Sequence, residues 1–163
     1  MTNADRTVHE LVGELDYPMF IVTVAAEGEV AGCLVGFATQ CSIDPPRFLV
    51  CISESNRTFR VACRAKLAVV HLVPARASGL AELFGSQTGD EMNKFDRCDW
   101  TTGPGETPIL DECGNWFAAR ILERFPAGDH WAFLLDPFEA GSDTTERPFT
   151  FHRAKRLEPG HEA

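Results

Sequence analysis

Short β-type segments separated by tight turn sequences constrain the fold of this chain more than any other feature. Residues 19–25 are rich in Ile, Val, Thr and Phe, and the sequence Ala26-Glu27-Gly28-Glu29 that follows is typical of a hairpin turn. Similar segments predict further strands at 30–39, 47–53, 67–73, 116–125, 130–140 and 149–153. The chain should therefore build a sheet whose strands are joined mainly by tight connections.

The predicted helices are too short to serve as crossovers between parallel strands. Thr7-Val8-His9-Glu10 has the spacing of a capping box and predicts a helix over 7–15, and two more are predicted at 56–63 and 78–84. Residues 85–112, a polar stretch interrupted by Gly and Pro, should be irregular. We therefore predict a mainly β fold, an antiparallel barrel with a few short helices, in which the first three strands pair in succession.

Length and charge restrict the domain organisation and the class of partner. The 163 residues are about the size of one domain, and we expect a single unit over 1–157 with a frayed tail at 158–163. A net charge of −9 disfavours nucleic acid as a partner. The polar first ten residues do not resemble a signal peptide, and no apolar run approaches the roughly 20 residues of a membrane span. We expect a soluble, cytoplasmic protein.

The six cysteines show neither metal-ligand spacing nor a disulfide pattern. No Cys-x-x-Cys pair occurs, and no His stands at zinc-finger spacing, so we expect no metal site. Most of the cysteines lie in apolar surroundings, as Cys51 does, and are interpreted as reduced core residues. Cys33 alone is kept as a possible reactive thiol.

One candidate anion site is the sequence Ser53-Glu54-Ser55-Asn56-Arg57-Thr58. It places hydroxyls, an amide and a guanidinium around a predicted helix start, where free N–H groups favour an anion. The alternative is ordinary N-capping by Ser55 or Asn56 with Arg57 in solvent, which the residues alone favour.

Two further stretches could carry chemistry. Gly32 and Gly36 interrupt a good strand, which marks either close approach of a ligand or a bulge at a barrel corner. Gly128-Asp129-His130 places an imidazole at the end of a hairpin, where it could hydrogen-bond a substrate carboxamide or simply be half exposed beside a turn. Signatures of hydrolases, kinases and dinucleotide-binding folds are absent from the sequence.

Taken in order, these pieces resemble the flavin reductase-like family of FMN-binding split β-barrels that use NAD(P)H. The most specific parts are Ser42-Ile43-Asp44-Pro45-Pro46, Ser55-Asn56-Arg57-Thr58, Lys94-Phe95 and Gly128-Asp129-His130. The resemblance implies an antiparallel split β-barrel, FMN or alternatively FAD as cofactor, NADH or NADPH as hydride donor, and a homodimer with the flavin near its interface. It also implies that reduced flavin is delivered to a monooxygenase or another acceptor.

The resemblance also implies the site residues. His130 would border the nicotinamide pocket. The implied flavin-binding residues are Leu34, Val35, Gly36, Phe37, Ala38, Thr39, Ser42, Ser53, Ser55, Arg57, Thr58, Lys94 and Phe95. Where relatives commonly carry Thr or Ser, this chain has Leu34, Gly36 and Phe37, which motivates the alternative of a flavin-binding or storage module without turnover. A third possibility is a deazaflavin-dependent oxidoreductase on a related barrel, which is ranked last because the sequence offers no extended basic cleft for the cofactor tail.

Overall fold

The structure, a computed structural model, describes residues 1–143 and 145–158, so the last five residues of the expected tail lie outside the described part. The strands are β1 (Phe20–Ala26), β2 (Glu29–Val35), β3 (Ala38–Ser42), β4 (Arg47–Ser53), β5 (Leu67–Leu72), β6 (Trp100–Thr102), β7 (Pro108–Leu110), β8 (Trp116–Ala127) and β9 (His130–Gly141). The helices are α1 (Asn3–Gly13), α2 (Arg57–Ala62), α3 (Ser78–Ser86) and α4 (Phe151–Ala154).

Seven strands form one sheet in the order β2-β1-β5-β8-β9-β4-β3, and every neighbouring pair is antiparallel. The mainly β, antiparallel fold predicted from the sequence is thus confirmed. The predicted hairpin turn between β1 and β2 is also present, with positive φ angles at Glu27 (52°) and Gly28 (80°). Within the described residues the pairing does not close, because β2 and β3 are the two ends of the order.

The prediction of one continuous strand over 30–39 is wrong, although the expected pairings with the preceding and following strands are present, β2 with β1 and β3 with β4. The segment breaks at Gly36 and Phe37, and β2 and β3 lie at opposite ends of the sheet order. At the break, the Phe37 carbonyl accepts a hydrogen bond from the Cys51 amide at 2.8 Å. A Cβ atom on Gly36 would lie 3.0 Å from the Tyr17 ring, so a side chain there would crowd the break.

Three further predictions about local structure need correction. Helix α1 begins earlier than expected, because the capping box is formed by Thr2 and Asp5 and not by Thr7 and Glu10. The predicted strand at 149–153 is instead a single backbone bridge at Thr150 followed by α4. The stretch at 85–112, expected to be irregular, contains the small hairpin of β6 and β7.

Two apolar cores lie on opposite faces of β1, because alternate side chains of a strand point to opposite sides. Phe20, Val22 and Val24 belong to the first core, which the sheet and α2 enclose. Met19 and Ile21 belong to the second core, which also receives side chains from α3, from β7 and from the C-terminal segment. The buried second-core residues are Met19, Ile21, Val73, Ala77, Leu80, Ala81, Phe84, Phe95, Leu110, Cys113 and Phe149.

Buried polar side chains tie the β6–β7 hairpin to the sheet beside the second core. The His71 ring is fully buried, with Nδ1 at 2.9 Å from the Ile21 carbonyl and Nε2 accepting from the Leu110 amide at 3.0 Å. Nδ1 therefore carries the proton, and burial lowers the pKa of His71 to about 4. Thr23 donates its hydroxyl to the Pro108 carbonyl at 2.6 Å.

Candidate functional site

Two neighbouring cavities contain most of the residues that the sequence singled out. The lysine cavity, about 320 Å³, is lined by Gly28, Glu29, Val30, Ala31, Gly32, Arg57, Thr58, Gly89, Met92, Asn93, Lys94 and Phe95. The histidine cavity, about 180 Å³, is lined by Tyr17, Met19, Cys33, Leu34, Val35, Gly36, Phe37, Cys51, Ile52, Ser53, Asn56, His130 and Phe151. They are adjacent along β2, at Gly32 and Cys33, and along the start of α2, at Asn56 and Arg57.

The lysine cavity is built around a buried ammonium group. Lys94 is only 5% exposed, and its Nζ donates to the carbonyls of Gly32 and Phe84, both at 3.1 Å. Desolvation lowers the pKa of Lys94. No carboxylate among the described residues forms an ion pair with it. An ammonium group has three donors. Two of them are used by these carbonyls, and Nζ also lies 5.4 Å from the centroid of the Phe84 ring.

Arg57 supplies a second cation at the opposite wall of the lysine cavity. Its guanidinium donates to the Gly89 carbonyl at 3.0 Å and contacts the Glu29 carboxylate at 3.4 Å, and about a third of the side chain is exposed. The Asn56 side chain accepts from the Thr58 amide at 2.9 Å, so the expected N-cap at Asn56 is confirmed, whereas Arg57 is paired and does not stand free in solvent as that alternative assumed. Because α2 has only six residues, we attribute the positive charge of the cavity to the Arg57 and Lys94 side chains, and Glu29 adds a carboxylate to the same lining.

The histidine cavity has aromatic walls. The His130 ring lies 5.1 Å from the Phe37 ring, and its Nδ1 is 2.7 Å from the Asp129 carboxylate. That hydrogen bond lowers the pKa of Asp129. The Tyr17 and Phe151 rings contribute another wall, stacked at 4.7 Å with an angle of 9° between their planes.

Sequence reasoning missed Tyr17 and Phe151. They come from opposite ends of the chain and are brought together by a backbone hydrogen bond from the Phe151 amide to the Tyr17 carbonyl at 2.9 Å. No local spacing could have joined them. The only available signal was that each aromatic residue stands beside a break in regular structure, at Pro18 and at the short segment after Pro148.

Several predicted residues lie outside both cavities. Ala38 and Thr39 are on β3 and line neither cavity, and the Thr39 hydroxyl donates to the Gln40 carbonyl. Ser42 lines a separate shallow depression at the β3–β4 turn. Ser55 is near the site, since its hydroxyl is 2.9 Å from that of Ser53, which lines the histidine cavity.

The cysteines largely follow the sequence-based interpretation. Cys33 is buried and desolvation raises the pKa of its thiol, which argues against the reactivity that the sequence left open. Cys51, Cys98 and Cys113 are also buried or partly buried, whereas Cys41 and Cys63 are exposed. All six are free thiols.

The two cavities differ in their chemistry. The histidine cavity offers an apolar, aromatic space for a planar ring, and the lysine cavity offers two cations for a phosphate. Gly32 lies between them, and a Cβ atom there would be 2.8 Å from the Phe84 ring, so only glycine keeps this strand close to the second core. Residues 1–143 and 145–158 contain no cluster of His, Cys, Asp or Glu that could hold a metal ion.

None of the described helices is long and apolar enough to cross a membrane.

Comparison with known proteins gives a family and a set of relatives. A flavin reductase like domain model matches residues 12–158. A probable flavin reductase of Rhizobium meliloti (strain 1021) is 28% identical over 113 residues, 67% of this chain and 35% of the relative. HsaB, the reductase subunit of a flavin-dependent monooxygenase of Rhodococcus jostii (strain RHA1), is 24% identical over 150 residues, 92% of this chain and 75% of that protein.

A solved structure supports the same fold. The NADH:FAD oxidoreductase SgcE6 of Streptomyces globisporus C-1027 superposes with a TM-score of 0.82 at 22% identity, covering 93% of this chain and 90% of that one. The chain spans 35% and 48% of the length of two relatives from Rhizobium meliloti. Since the family model covers nearly all of the described residues, the chain belongs to the family of flavin reductase like domains.

Proposed function

We propose that this protein is an NAD(P)H-dependent flavin reductase, which binds flavin and transfers hydride to it from a nicotinamide. The observation that carries the proposal is the adjacency of a cationic cavity, with Arg57 and Lys94, and an aromatic cavity, with Phe37 and His130, in a chain of this family. FMN and FAD share the ring and first phosphate that these cavities accommodate, and NADH and NADPH share the nicotinamide.

The chain's own residues would bind and orient the reactants. Flavin and nicotinamide supply the hydride chemistry between them, so no protein nucleophile is required. Arg57 and Lys94 would hold the flavin phosphate through charge-assisted hydrogen bonds. The stacked rings of Tyr17 and Phe151 exclude water from one side of the histidine cavity.

His130 would orient the nicotinamide. In the tautomer that donates Nδ1–H to Asp129, Nε2 is left as a hydrogen-bond acceptor, which suits the N–H group of a carboxamide. The hydrogen bond to Asp129 fixes the orientation of the His130 ring, and it uses none of the groups that would bind the flavin.

The wider setting of the reaction belongs to the same proposal. We infer that the sheet curls into a split barrel, that two copies form a dimer, and that the protein acts in the cytoplasm. The relationship to HsaB supports delivery of reduced flavin to a monooxygenase.

Anaerobic incubation with FMN or FAD and with NADH or NADPH tests the activity. We expect the flavin absorption to bleach with at least one pair, and no bleaching with any pair would overturn the proposal. Arg57→Ala should raise the flavin Kd about tenfold, the loss of one hydrogen bond between charged groups. Arg60→Ala, in the same helix but outside both cavities, is the control.

His130→Ala should affect the reaction more than flavin binding, the opposite of Arg57→Ala. It should slow nicotinamide-dependent reduction about tenfold or more, while the flavin Kd changes little. If the rate of reduction and the flavin affinity fall by equal factors, His130 has a structural role.

A second candidate function is flavin binding without turnover. Phe37, about half exposed, has its ring against His130, where it could deny the nicotinamide access. A yellow protein that is inert with both nicotinamides, and that gains activity on Phe37→Ala, would support this alternative.

A further inference from the structure

A third and larger cavity adjoins the lysine cavity. This hairpin cavity, about 800 Å³, lies between the β1–β2 turn, the segment before β5, and the β6–β7 hairpin. It shares Gly28 and Val30 with the lysine cavity, so the two spaces meet at the first residues of β2. Its volume is within the range of about 300–1,000 Å³ that is usual for small-molecule sites. None of the residues that line it was implied as a site residue by the sequence.

The floor of the hairpin cavity is apolar and includes a fixed aromatic ring. Ala25, Val30 and Leu67 line it together with Trp100. The Trp100 indole donates from Nε1 to the Phe95 carbonyl at 3.1 Å and packs edge-on against the Phe95 ring at 5.7 Å. Because the indole is held in place and still lines the cavity, it offers a rigid surface on which a planar base can stack.

The rim of the hairpin cavity carries charges of both signs. Lys66 is exposed, and its ammonium forms no ion pair with any described residue. Arg64, in contrast, is paired with Glu27 and Glu29. On the side of the β6–β7 hairpin stands Glu106, whose φ of 62° follows the φ of 63° at Gly105. An ammonium attracts a phosphate, and a carboxylate accepts hydrogen bonds from ribose hydroxyls.

We propose that the hairpin cavity binds the adenylate group of a dinucleotide, with the adenine against Trp100, the ribose near Glu106 and the phosphate near Lys66. The proposal rests on the flavin reductase function, because the lysine cavity would then hold the first flavin phosphate next to this space. Two dinucleotides in the reaction carry an adenylate, FAD and NAD(P)H. The shared edge at Gly28 and Val30 accommodates the continuous chain of FAD most directly.

The test compares ligands that differ only in the adenylate. Calorimetric Kd values for FAD and FMN are measured on the full chain and on Trp100→Leu and Trp100→Phe. We expect Trp100→Leu to weaken FAD binding about tenfold while FMN binding is unchanged, as for the loss of one stacked base. Trp100→Phe keeps an aromatic surface and should remain within about threefold of the original protein, since most of the stacking area persists.

A second arm distinguishes the two sources of the adenylate. If the bound adenylate belongs to NAD(P)H, Trp100→Leu should raise the KM for NADH with FMN as acceptor. The KM for reduced nicotinamide mononucleotide, which lacks the adenylate, should not change. The ratio of the FAD and FMN affinities should also stay constant. Either pattern supports the subsite. If Trp100→Leu changes neither the FAD to FMN ratio nor the KM for NADH relative to the mononucleotide, the proposal is overturned.

A charge variant makes the test independent of the packing of Trp100. Lys66→Glu should weaken binding of the dinucleotide that uses the cavity by about fivefold, the scale of one exposed charge contact. Arg6→Glu on α1 makes the same change of net charge away from all three cavities and should have no effect. Because the Kd ratio needs no turnover, failure of the subsite is distinguishable from failure of the reductase function.

Discussion

The first core and the second core meet across β1 but are built from different contacts. The first is an apolar interior in which residues such as Val22, Val50 and Leu135 pack between strands and against α2. Beside the second core, polar side chains reach backbone groups far away in sequence, as His71 does at Leu110 and Lys94 at Gly32. The lysine and hairpin cavities border this second, polar-anchored side of the molecule.

The difference in contacts between the two cores indicates where this fold can carry function. Apolar packing tolerates changes that conserve volume, whereas a buried polar group depends on one specific partner. A segment held by such partners can bring donors and charges to a cavity wall. We therefore expect the anchored side to be more sensitive to isosteric substitution and to pH than the first core.

The largest expected effect is an acid sensitivity carried by His71. Its pKa of about 4 in the folded protein lies below the ordinary 6.5 expected after unfolding, so the unfolded chain takes up the proton first. The free energy of unfolding should fall as the pH drops from 6.5 towards 4, by about 3 kcal/mol, and no further below that. Urea denaturation at pH 7 and pH 4.5 measures this change, with His71→Gln as the control. An equal pH dependence in both proteins would contradict the assignment.

The second-largest effect is expected when Lys94 is replaced. Replacing it by Met removes the donors to the Gly32 and Phe84 carbonyls and should lower the free energy of unfolding by about 2 kcal/mol, roughly 1 kcal/mol for each bond. The flavin Kd should rise at least tenfold, because the charge near the phosphate is lost. Arg6→Met on α1, away from all three cavities, is the control for the loss of one positive charge. If Lys94→Met is more stable than the original protein, desolvation of the ammonium outweighs its hydrogen bonds.

A smaller effect is expected at Thr23. Thr23→Val keeps the shape of the side chain but removes the hydrogen bond to the Pro108 carbonyl, and should cost about 1 kcal/mol. Thermal unfolding at pH 7 measures this loss of stability. Unchanged stability would show that the His71 hydrogen bond and the apolar contacts hold the β6–β7 hairpin without Thr23.

The smallest effect, of opposite sign, is expected at Thr107. Its side chain is buried, and Oγ1 has no hydrogen-bond partner among the described residues. Thr107→Val should leave stability unchanged or raise it by up to about 1 kcal/mol, because an unsatisfied hydroxyl is removed. A loss of stability similar to that of Thr23→Val would mean that the hydroxyl has a partner after all.

The first core and its strands were largely predictable from the sequence, for local reasons. The apolar composition of β1 and β4, the turn at Gly28, and the cap at Asn56 act over a few residues, and the structure confirms them. The separation of β2 from β3 was not predictable in this way. It depends on which strand each one pairs with, and the pattern of one strand does not contain that information.

The candidate site was predictable in part. The motifs around Arg57, Lys94 and His130 pointed to residues that do line the two neighbouring cavities. The aromatic pair of Tyr17 and Phe151 was missed because its members are distant in sequence, and the segment of Phe151 was predicted as a strand. Whether these residues bind flavin remains a prediction for the experiments above.

The sheet order also has a consequence for the order of events during synthesis. The pair β1–β2 and the pair β3–β4 are connected in the sheet only through β5, β8 and β9. A growing chain that has made only these four strands therefore has no complete sheet. The free edge of β1 is covered once β5 is made, whereas the free edge of β4 stays open until β9 reaches it at positions 130–135. Such late, long-range pairing slows folding and exposes strand edges to other chains. The histidine cavity is lined by both Tyr17 and Phe151, so its wall is complete only after Phe151 has been synthesised.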